Sequence, residues 1–344
     1  MDTPTHILAG ILAGEAAFRT RLGRAAPIVA GIAALIPDLD AVPARLSGDP
    51  LAGLWMHRGI SHSLIFLPIA SAVVAAVACL VARDKRFHWF FLAALAGMAC
   101  QPLLDVPTNY GTQLLWPWSH ERFALDWIFI IDPYLTCLIV VALVVSWLRI
   151  RRGQDFRGVA VRGLVLAAVY ILALGSFHHV AFGRLGRELD ARSLRSQDVG
   201  QLACLPVPLV PLAWNALYTT ADGRDTHLGI IWIMRPGTLA FETIRGAADS
   251  PAIRAFKTSP QGRAYLWFAR FPVFEEEDVP PARPGQEGEK LVRVYDLRFR
   301  SHMPAVARAV FGVIFPWRDE FRKPFLVEAR ISPQGQVLSI RLTH

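Results

Sequence analysis

Charge is scarce in this chain and cysteine scarcer. Asp, Glu, Lys and Arg make up 19% of the 344 residues, while hydrophobic residues reach 53% and the mean hydropathy is positive. Soluble domains carry more charge and less apolar mass. The four cysteines are Cys79, Cys100, Cys137 and Cys204; three lie inside apolar runs and one stands alone. That excludes a disulfide framework and a CxxC metal site. There is no HExxH, which disfavours a zincin protease, and no GxSxG elbow of a serine hydrolase. A nucleotide-binding glycine loop and a recognisable repeat are also missing. The N-terminus lacks the basic start and small-residue cleavage pattern of a removable signal peptide, so none is expected.

What the chain does have is long apolar runs, concentrated in its first 180 residues. Thr5 to Phe18 and Ala25 to Ile36 are short ones, below the roughly 20 residues of a spanning helix. In the first, His6, Gly10 and Gly14 recur at spacing four, so a neighbouring helix can approach the glycines closely. Ser61 to Ala82, Phe87 to Leu104, Leu125 to Leu148 and Val159 to Phe182 are firmer membrane helices. The expected fold is mainly α: a polytopic helical membrane domain over residues 1–182, then an extramembrane α+β domain over 183–344.

Charge sets the expected orientation. The formal net charge is +8, which in a soluble protein points to nucleic acid. Here the arginines gather in short loops: Arg19, Arg21 and Arg24; Arg83, Lys85 and Arg86; Arg149, Arg151, Arg152 and Arg157. With six crossings all three loops share one side, which the positive-inside rule makes cytoplasmic. No nucleic-acid partner is expected. The N-terminus, loops 37–60 and 105–124, and everything after residue 182 then share the opposite side of the membrane.

Beyond Phe182 the pattern changes. Arg184 to Gln201 is charged, with apolar residues at helical intervals, and Pro206, Pro208 and Pro211 break the chain. β-rich runs follow at Trp214–Thr219, Gly229–Met234, Leu291–Arg300, Phe325–Ile331 and Val337–Leu342. Ala252 to Phe271 reads as partly helical, and Glu275 to Glu289 as an acidic, proline-rich solvated loop.

The chemistry-bearing stretch is His57-Arg58-Gly59-Ile60-Ser61-His62-Ser63. Neutral imidazole is the commonest metal ligand, and an arginine fork holds phosphate or carboxylate at two points. The outer side collects more such groups: His6, Asp38, Asp40, Asp105, Asp126 and Asp132. Mixed histidine and carboxylate ligation suits zinc, and also manganese or iron, and this many ligands would serve two or three ions. Paired ions suit in-line displacement at phosphorus. His6, Asp38, His57, His62, Asp105, Asp126 and Asp132 are the candidate metal ligands; Asp40, Arg58 and Asp105 are the candidate catalytic groups. Asp126 and Asp132 are expected in the first turns of the fifth helix, Asp132 as its buried, functional carboxylate. Read bluntly, each residue has a plainer role: an interfacial histidine, a turn-forming aspartate, a hydrated carboxylate. His88, His120, His178 and His179 are weaker candidates still.

The chain resembles the YdjM-like, LexA-regulated inner-membrane metal-dependent hydrolases of bacteria. The resemblance rests on Thr5-His6 with Gly10, Pro37-Asp38-Leu39-Asp40, His57-Arg58-Gly59 with Ser61-His62-Ser63, Leu104-Asp105, Thr108-Asn109-Tyr110-Gly111, Trp116-Pro117-Trp118-Ser119, Arg122-Phe123, and Asp126 with Ile131-Asp132-Pro133. It covers residues 1–140 well and the later domain loosely. The resemblance implies a helical membrane domain and a hydrolase, and a distant similarity to zinc-dependent phospholipase C and P1-type nucleases. It implies no substrate. A metal-activated water would attack a phosphoester, an aspartate would take its proton, and Arg58 would hold a non-bridging oxygen. Ser61, Ser63, Thr108, Asn109 and Tyr110 are available to orient the ligands. A membrane lipid or lipid-linked phosphate is the expected substrate. The competing readings are a non-catalytic, metal-stabilised membrane protein with a partner-binding outer domain, and an ion transporter; polar residues confined to one end of the helices disfavour transport.

Overall fold

The structure, a computed structural model, describes residues 1–235, 237–281, 288–301, 309 and 323–343. The chain forms two compact units, Met1–Leu46 with Met56–Ser176, and Ser47–Trp55 with Phe177–His344. The boundary falls inside a helix, six residues before the expected end of the membrane domain at 182.

In the first unit, α1 (Thr3–Ala17) starts at an Asp2 cap and a proline in its first turn. The short α2 (Arg19–Leu22) turns the chain into α3 (Ala25–Leu35). Gly10 and Gly14 lie against α3: a Cβ on Gly10 would stand 2.7 Å from the Ala30 carbonyl oxygen, and one on Gly14 equally close to that of Ala26. The glycine spacing thus does what the sequence predicts, letting two backbones meet. A 3-10 turn (Ile36–Asp40) follows, then α4 (Ala41–Leu46), α5 (Ala52–Met56) and a second 3-10 turn (Ile60–His62). Then come α6 (Phe66–Ala82), α7 (Phe87–Asp105), α8 (Pro133–Arg151) and α9 (Arg157–Ala191).

Ala26, Ala33, Ala93, Ala94, Met98 and Phe90 pack α3, α6 and α7 into one apolar core. The opposite faces are apolar too. Ile69, Val73, Val77 and Val81 on α6, and Val165, Val169 and Leu172 on α9, are exposed at helical spacing. Such rows belong against lipid. Ala25–Leu46, α7, α8 and α9 are long and apolar enough to cross a membrane, and Ala52–His62 with α6 forms a fifth candidate bent by 71°. At 15 residues α1 is not in that group. It rises about 22 Å. The fifth helix starts eight residues later than expected, at Pro133 rather than Leu125. Residues 106–131 instead form an irregular crossing pinned by short bridges, Thr108 to Ile128 and Thr112 to Phe123.

The ends of the bundle differ. The arginine-rich loops meet at one end: Arg157 Nε donates to the Ala16 carbonyl at 3.2 Å, Arg86 Nη1 to that of Arg21 at 2.6 Å, and Arg19 lies over the Phe156 ring. The start of α1, both 3-10 turns and the end of α7 meet at the other.

The second unit carries two four-stranded antiparallel sheets, in order β1-β2-β3-β4 and β5-β6-β7-β8. The strands are β1 (Val199–Val207), β2 (Val210–Thr220), β3 (Asp225–Trp232), β4 (Phe241–Arg245), β5 (Pro272–Val279), β6 (Glu289–Asp296), β7 (Leu326–Ile331) and β8 (Val337–Thr343). Helices α10 (Pro251–Thr258) and α11 (Pro260–Phe268) account for the partly helical stretch. Leu205, Leu217, Leu228, Phe271, Val273 and Tyr295 share one core between the sheets.

Three strands escape the sequence reading. β1 runs through Pro206, where the chain was expected to break; an edge strand tolerates a proline because one row of its amides needs no partner. β4 is short. β5 takes up the start of the acidic stretch expected as loop, because Glu277 pairs with Arg293 at 2.6 Å, and Glu276 and Asp278 with Lys290. Residues 282–287 of that stretch lie outside the described residues.

Candidate functional site

Four elements of the first unit deliver His6, Asp38, His62 and Asp105 to one buried cluster. His6 sits in the second turn of α1, Asp38 in the 3-10 turn after Pro37, His62 in the second 3-10 turn, and Asp105 ends α7. His6, His62 and Asp105 are wholly buried. Asp105 is the hub. Its Oδ1 meets Arg58 Nη2 at 2.8 Å, His6 Nε2 at 3.1 Å and the Met1 amino group, and its Oδ2 lies 3.4 Å from His62 Nε2.

Asp40 holds the loop together from outside the cluster. Its carboxylate accepts from His57 Nδ1 at 2.8 Å, from the Arg58 amide at 3.0 Å and from the Ser61 hydroxyl at 2.7 Å. Three bonds from one side chain fix seven residues of chain. They hold Arg58 in the left-handed region, at φ 58°, which a non-glycine residue adopts only when its surroundings over-determine it.

These bonds also set the histidine tautomers. With Ser61 donating to Asp40, the 3.0 Å contact between Ser61 Oγ and His62 Nδ1 has His62 as donor. In the neutral ring Nε2 is then a bare lone pair. It faces two carboxylate oxygens, Asp38 Oδ1 and Asp105 Oδ2, each at 3.4 Å. That is beyond a good hydrogen bond. His62 Nε2, Asp38 Oδ2, Asp105 Oδ2 and His6 Nδ1 are buried with no hydrogen-bond partner. Buried polar atoms left in that condition need an explanation, and a cation is one.

The donor chemistry fits a divalent metal. Two ligands at zinc bond lengths span an edge of about 3.3–3.5 Å, the separation seen here. Yet among the described residues no three His, Cys, Asp or Glu side chains already converge as a ready-made metal cluster. His57 stands at the rim, its ring edge-on to Tyr110 at 5.6 Å and to His62 at 5.8 Å.

Three expectations change. Arg58, expected to grip substrate, is buried and turned inward: Nη2 serves Asp105 and the Met1 carbonyl, and Nη1 donates to Thr108 at 3.1 Å. Asp132 is not inside a helix. It caps α8, accepting from the amides of Tyr134 at 3.0 Å and Leu135 at 2.9 Å and from the Tyr170 hydroxyl at 2.8 Å. Those bonds account for its burial without a metal. Asp126 lies in the irregular crossing at φ 60°, buried, so the expected helical relation between it and Asp132 does not exist. Of the weaker histidines, His178 binds the Cys204 carbonyl at 3.1 Å, His88 lies against Trp89, and His120 contacts Gln113 at 3.4 Å.

With this geometry in view, residues 1–181 match the family model described as YdjM inner membrane protein. The chain belongs to the YdjM inner membrane protein family. YdjM membership makes it an inner membrane protein, in line with its apolar helices. Uncharacterized protein YfhP of Bacillus subtilis (strain 168) is 26% identical over 355 residues, covering 99% of this chain and all of that protein. Inner membrane protein YbcI of Escherichia coli (strain K12) is 33% identical over 104 residues, 28% of this chain and 56% of that one. No solved structure matches.

Two contributors went unassigned by sequence reasoning. Tyr170, one tyrosine in an apolar run, gave no signal of its bond to Asp132. Arg122 did give one: it is the sole Lys or Arg of the outer loop 105–124, on a side where basic residues are few.

Proposed function

We propose that the helical unit is a membrane-embedded, metal-dependent hydrolase acting on phosphoesters at the periplasmic surface, with zinc the best-suited ion. The observation that carries this reading is His62 Nε2 with two carboxylate oxygens, Asp38 Oδ1 and Asp105 Oδ2, each 3.4 Å from it. With the ring neutral, these three acceptors are costly to bury unless a cation joins them. His62, Asp38, Asp105 and His6 would hold the ion, with His57 at the rim. A bound divalent ion supplies Lewis acidity toward a phosphoryl oxygen.

The protein's own residues do the placing. Asp40 locks His57 with its proton on Nδ1, which turns Nε2 outward, and it fixes His62 through Ser61. Arg58 balances part of the carboxylate charge, so the cluster does not expand by its own repulsion. The end of the bundle carrying the cluster is rimmed by exposed apolar side chains: Val42, Leu46, Ile60, Leu64, Leu103 and Trp118, the last 75% exposed. A rim of this kind, with tryptophan in it, suits the headgroup region of a bilayer. It favours a membrane lipid or a lipid-linked phosphate as substrate over a soluble one. The basic loops at the opposite end then face the cytoplasm.

A second reading has one observation behind it: Arg58 and Asp105 already satisfy each other, as they would in a structural, non-catalytic centre. Metal analysis of the purified chain decides the first point, with His62→Ala and Asp38→Asn as comparisons. Both variants are expected to lose metal while remaining inserted. Wild-type metal content in both would end the proposal. Metal loss with lowered thermal stability, from a wild type that turns over no phospholipid or lipid-linked phosphate, would favour the structural reading.

A further inference from the structure

We propose that Arg122 is the anion-recognising side chain of this centre, and that the group it takes is the phosphoryl group of the ligand. This rests on the phosphoester reading above. The fork expected of Arg58 is committed inward to Asp105, Thr108 and the Met1 carbonyl. Arg122 lies beside the same loop and is half-buried where Arg58 is buried.

Several anchors hold it there. Its Nη2 donates to the Gly111 carbonyl at 2.9 Å and to the His57 carbonyl at 3.4 Å, which ties it to the loop carrying the histidines. Its guanidinium lies over the Tyr110 ring at 5.3 Å, the ring that Arg58 approaches at 4.8 Å and that His57 meets edge-on. The backbone next to it is clamped by paired bonds between Thr112 and Phe123, at 3.0 and 2.9 Å. Gly111 makes the approach possible. Its φ of +90° suits glycine, and a Cβ there would stand 3.0 Å from the Arg122 Cβ and 3.3 Å from its Nε. A long flexible side chain fixed at so many points is preorganised, and a preorganised guanidinium is a strong binder of phosphate oxygens. The His57 carbonyl and the shared Tyr110 ring hold it to the loop that carries both histidines.

The test uses the purified full-length chain and inorganic phosphate as probe, with metal content, phosphate affinity and phosphoester turnover measured on each variant. Arg122→Gln is expected to keep wild-type metal content and to weaken phosphate by about tenfold or more, the scale of one charge-assisted hydrogen bond. Arg122→Lys restores the charge without the fork and is expected to recover only part of the affinity. Gly111→Ala, which displaces Arg122 without removing it, is expected to weaken phosphate as well, and it serves if the glutamine variant fails to insert. Phosphate affinity unchanged within about twofold in Arg122→Gln overturns the proposal, as does a wild type that binds no phosphate. Phosphate bound through Arg122 by a protein with no turnover supports the anion site and removes the hydrolytic reading instead.

Discussion

Replacing Asp105 by asparagine tests the hub of the cluster most directly. The change is nearly isosteric, so its effect is electrostatic. At 2.8 Å and an effective dielectric near 20, the gross attraction between Asp105 and Arg58 is about 6 kcal/mol. Much of that is offset by desolvating both ions. Removing one partner of a buried pair leaves the other uncompensated, and the expected loss is roughly 3–5 kcal/mol. Arg58 makes this severe, since its side chain is 3% exposed and cannot turn out to water. The paired replacement Arg58→Met with Asp105→Leu removes both charges and is expected to recover most of the loss. Reversible unfolding in mixed micelles measures the cycle, and metal analysis runs beside it. Stability and metal should separate: the double variant regains stability but not metal, because Asp105 is gone. A single variant losing less than about 1 kcal/mol would refute the reasoning, since the charge would then have found another partner. So would a double variant with full metal content.

Gly10→Val forces a side chain against the Ala30 carbonyl and the Ala34 Cβ, both 2.7 Å from a Cβ, and overpacking of that kind costs about 1–3 kcal/mol. Thermal unfolding should show it, whereas Gly53→Ala, with nothing within 4 Å, should leave stability nearly unchanged. Tyr170→Phe removes one bond to Asp132 and is expected to lower stability by roughly 1.5–3 kcal/mol with metal content intact; lost metal would return Asp132 to the site. In a cysteine-free background, a cysteine at Arg152 should resist a membrane-impermeant thiol reagent from the periplasm and one at Trp118 should react, the reverse pattern inverting the topology. In the second unit, Arg293 and Arg341 hold the Glu328 carboxyl below its ordinary range. The pairing therefore contributes stability above about pH 4.3 and loses it as the pH falls through the depressed value. Glu328→Gln should flatten the acid limb of that unit's unfolding; an unchanged limb would place the acid sensitivity elsewhere.

The helical fold was legible because a membrane helix announces itself by length and by the absence of charge. Phe87–Leu104 and Val159–Phe182 need no tertiary information to be seen, and the glycine spacing in the first run stated which face would meet a neighbour. Strands in the second unit were legible where apolar residues alternate, as in Val337–Leu342. They were lost where the stabilising partner is distant in sequence. The acid run Glu275–Glu277 looks solvated until Arg293 and Lys290 are brought opposite it, and Pro206 looks like a break until its strand is known to be an edge.

The site divides along a related line. Sequence marks an ionisable residue in an apolar setting as costly, and among those it marked, His6, Asp38, His62 and Asp105 lie together at one end of the bundle. It does not say which atom balances the cost. For Asp132 the balance is local, two amides of its own helix start and one hydroxyl from α9, and the residue drops out of the cluster. For Arg58 it is Asp105, 47 positions away in sequence, and the fork expected to face a substrate faces inward. In the cluster, the same accounting leaves His62 Nε2, Asp38 Oδ2, Asp105 Oδ2 and His6 Nδ1 without hydrogen-bond partners. Residue identity gave the candidates; the unpaired atoms are the ground on which a cation is proposed among these four.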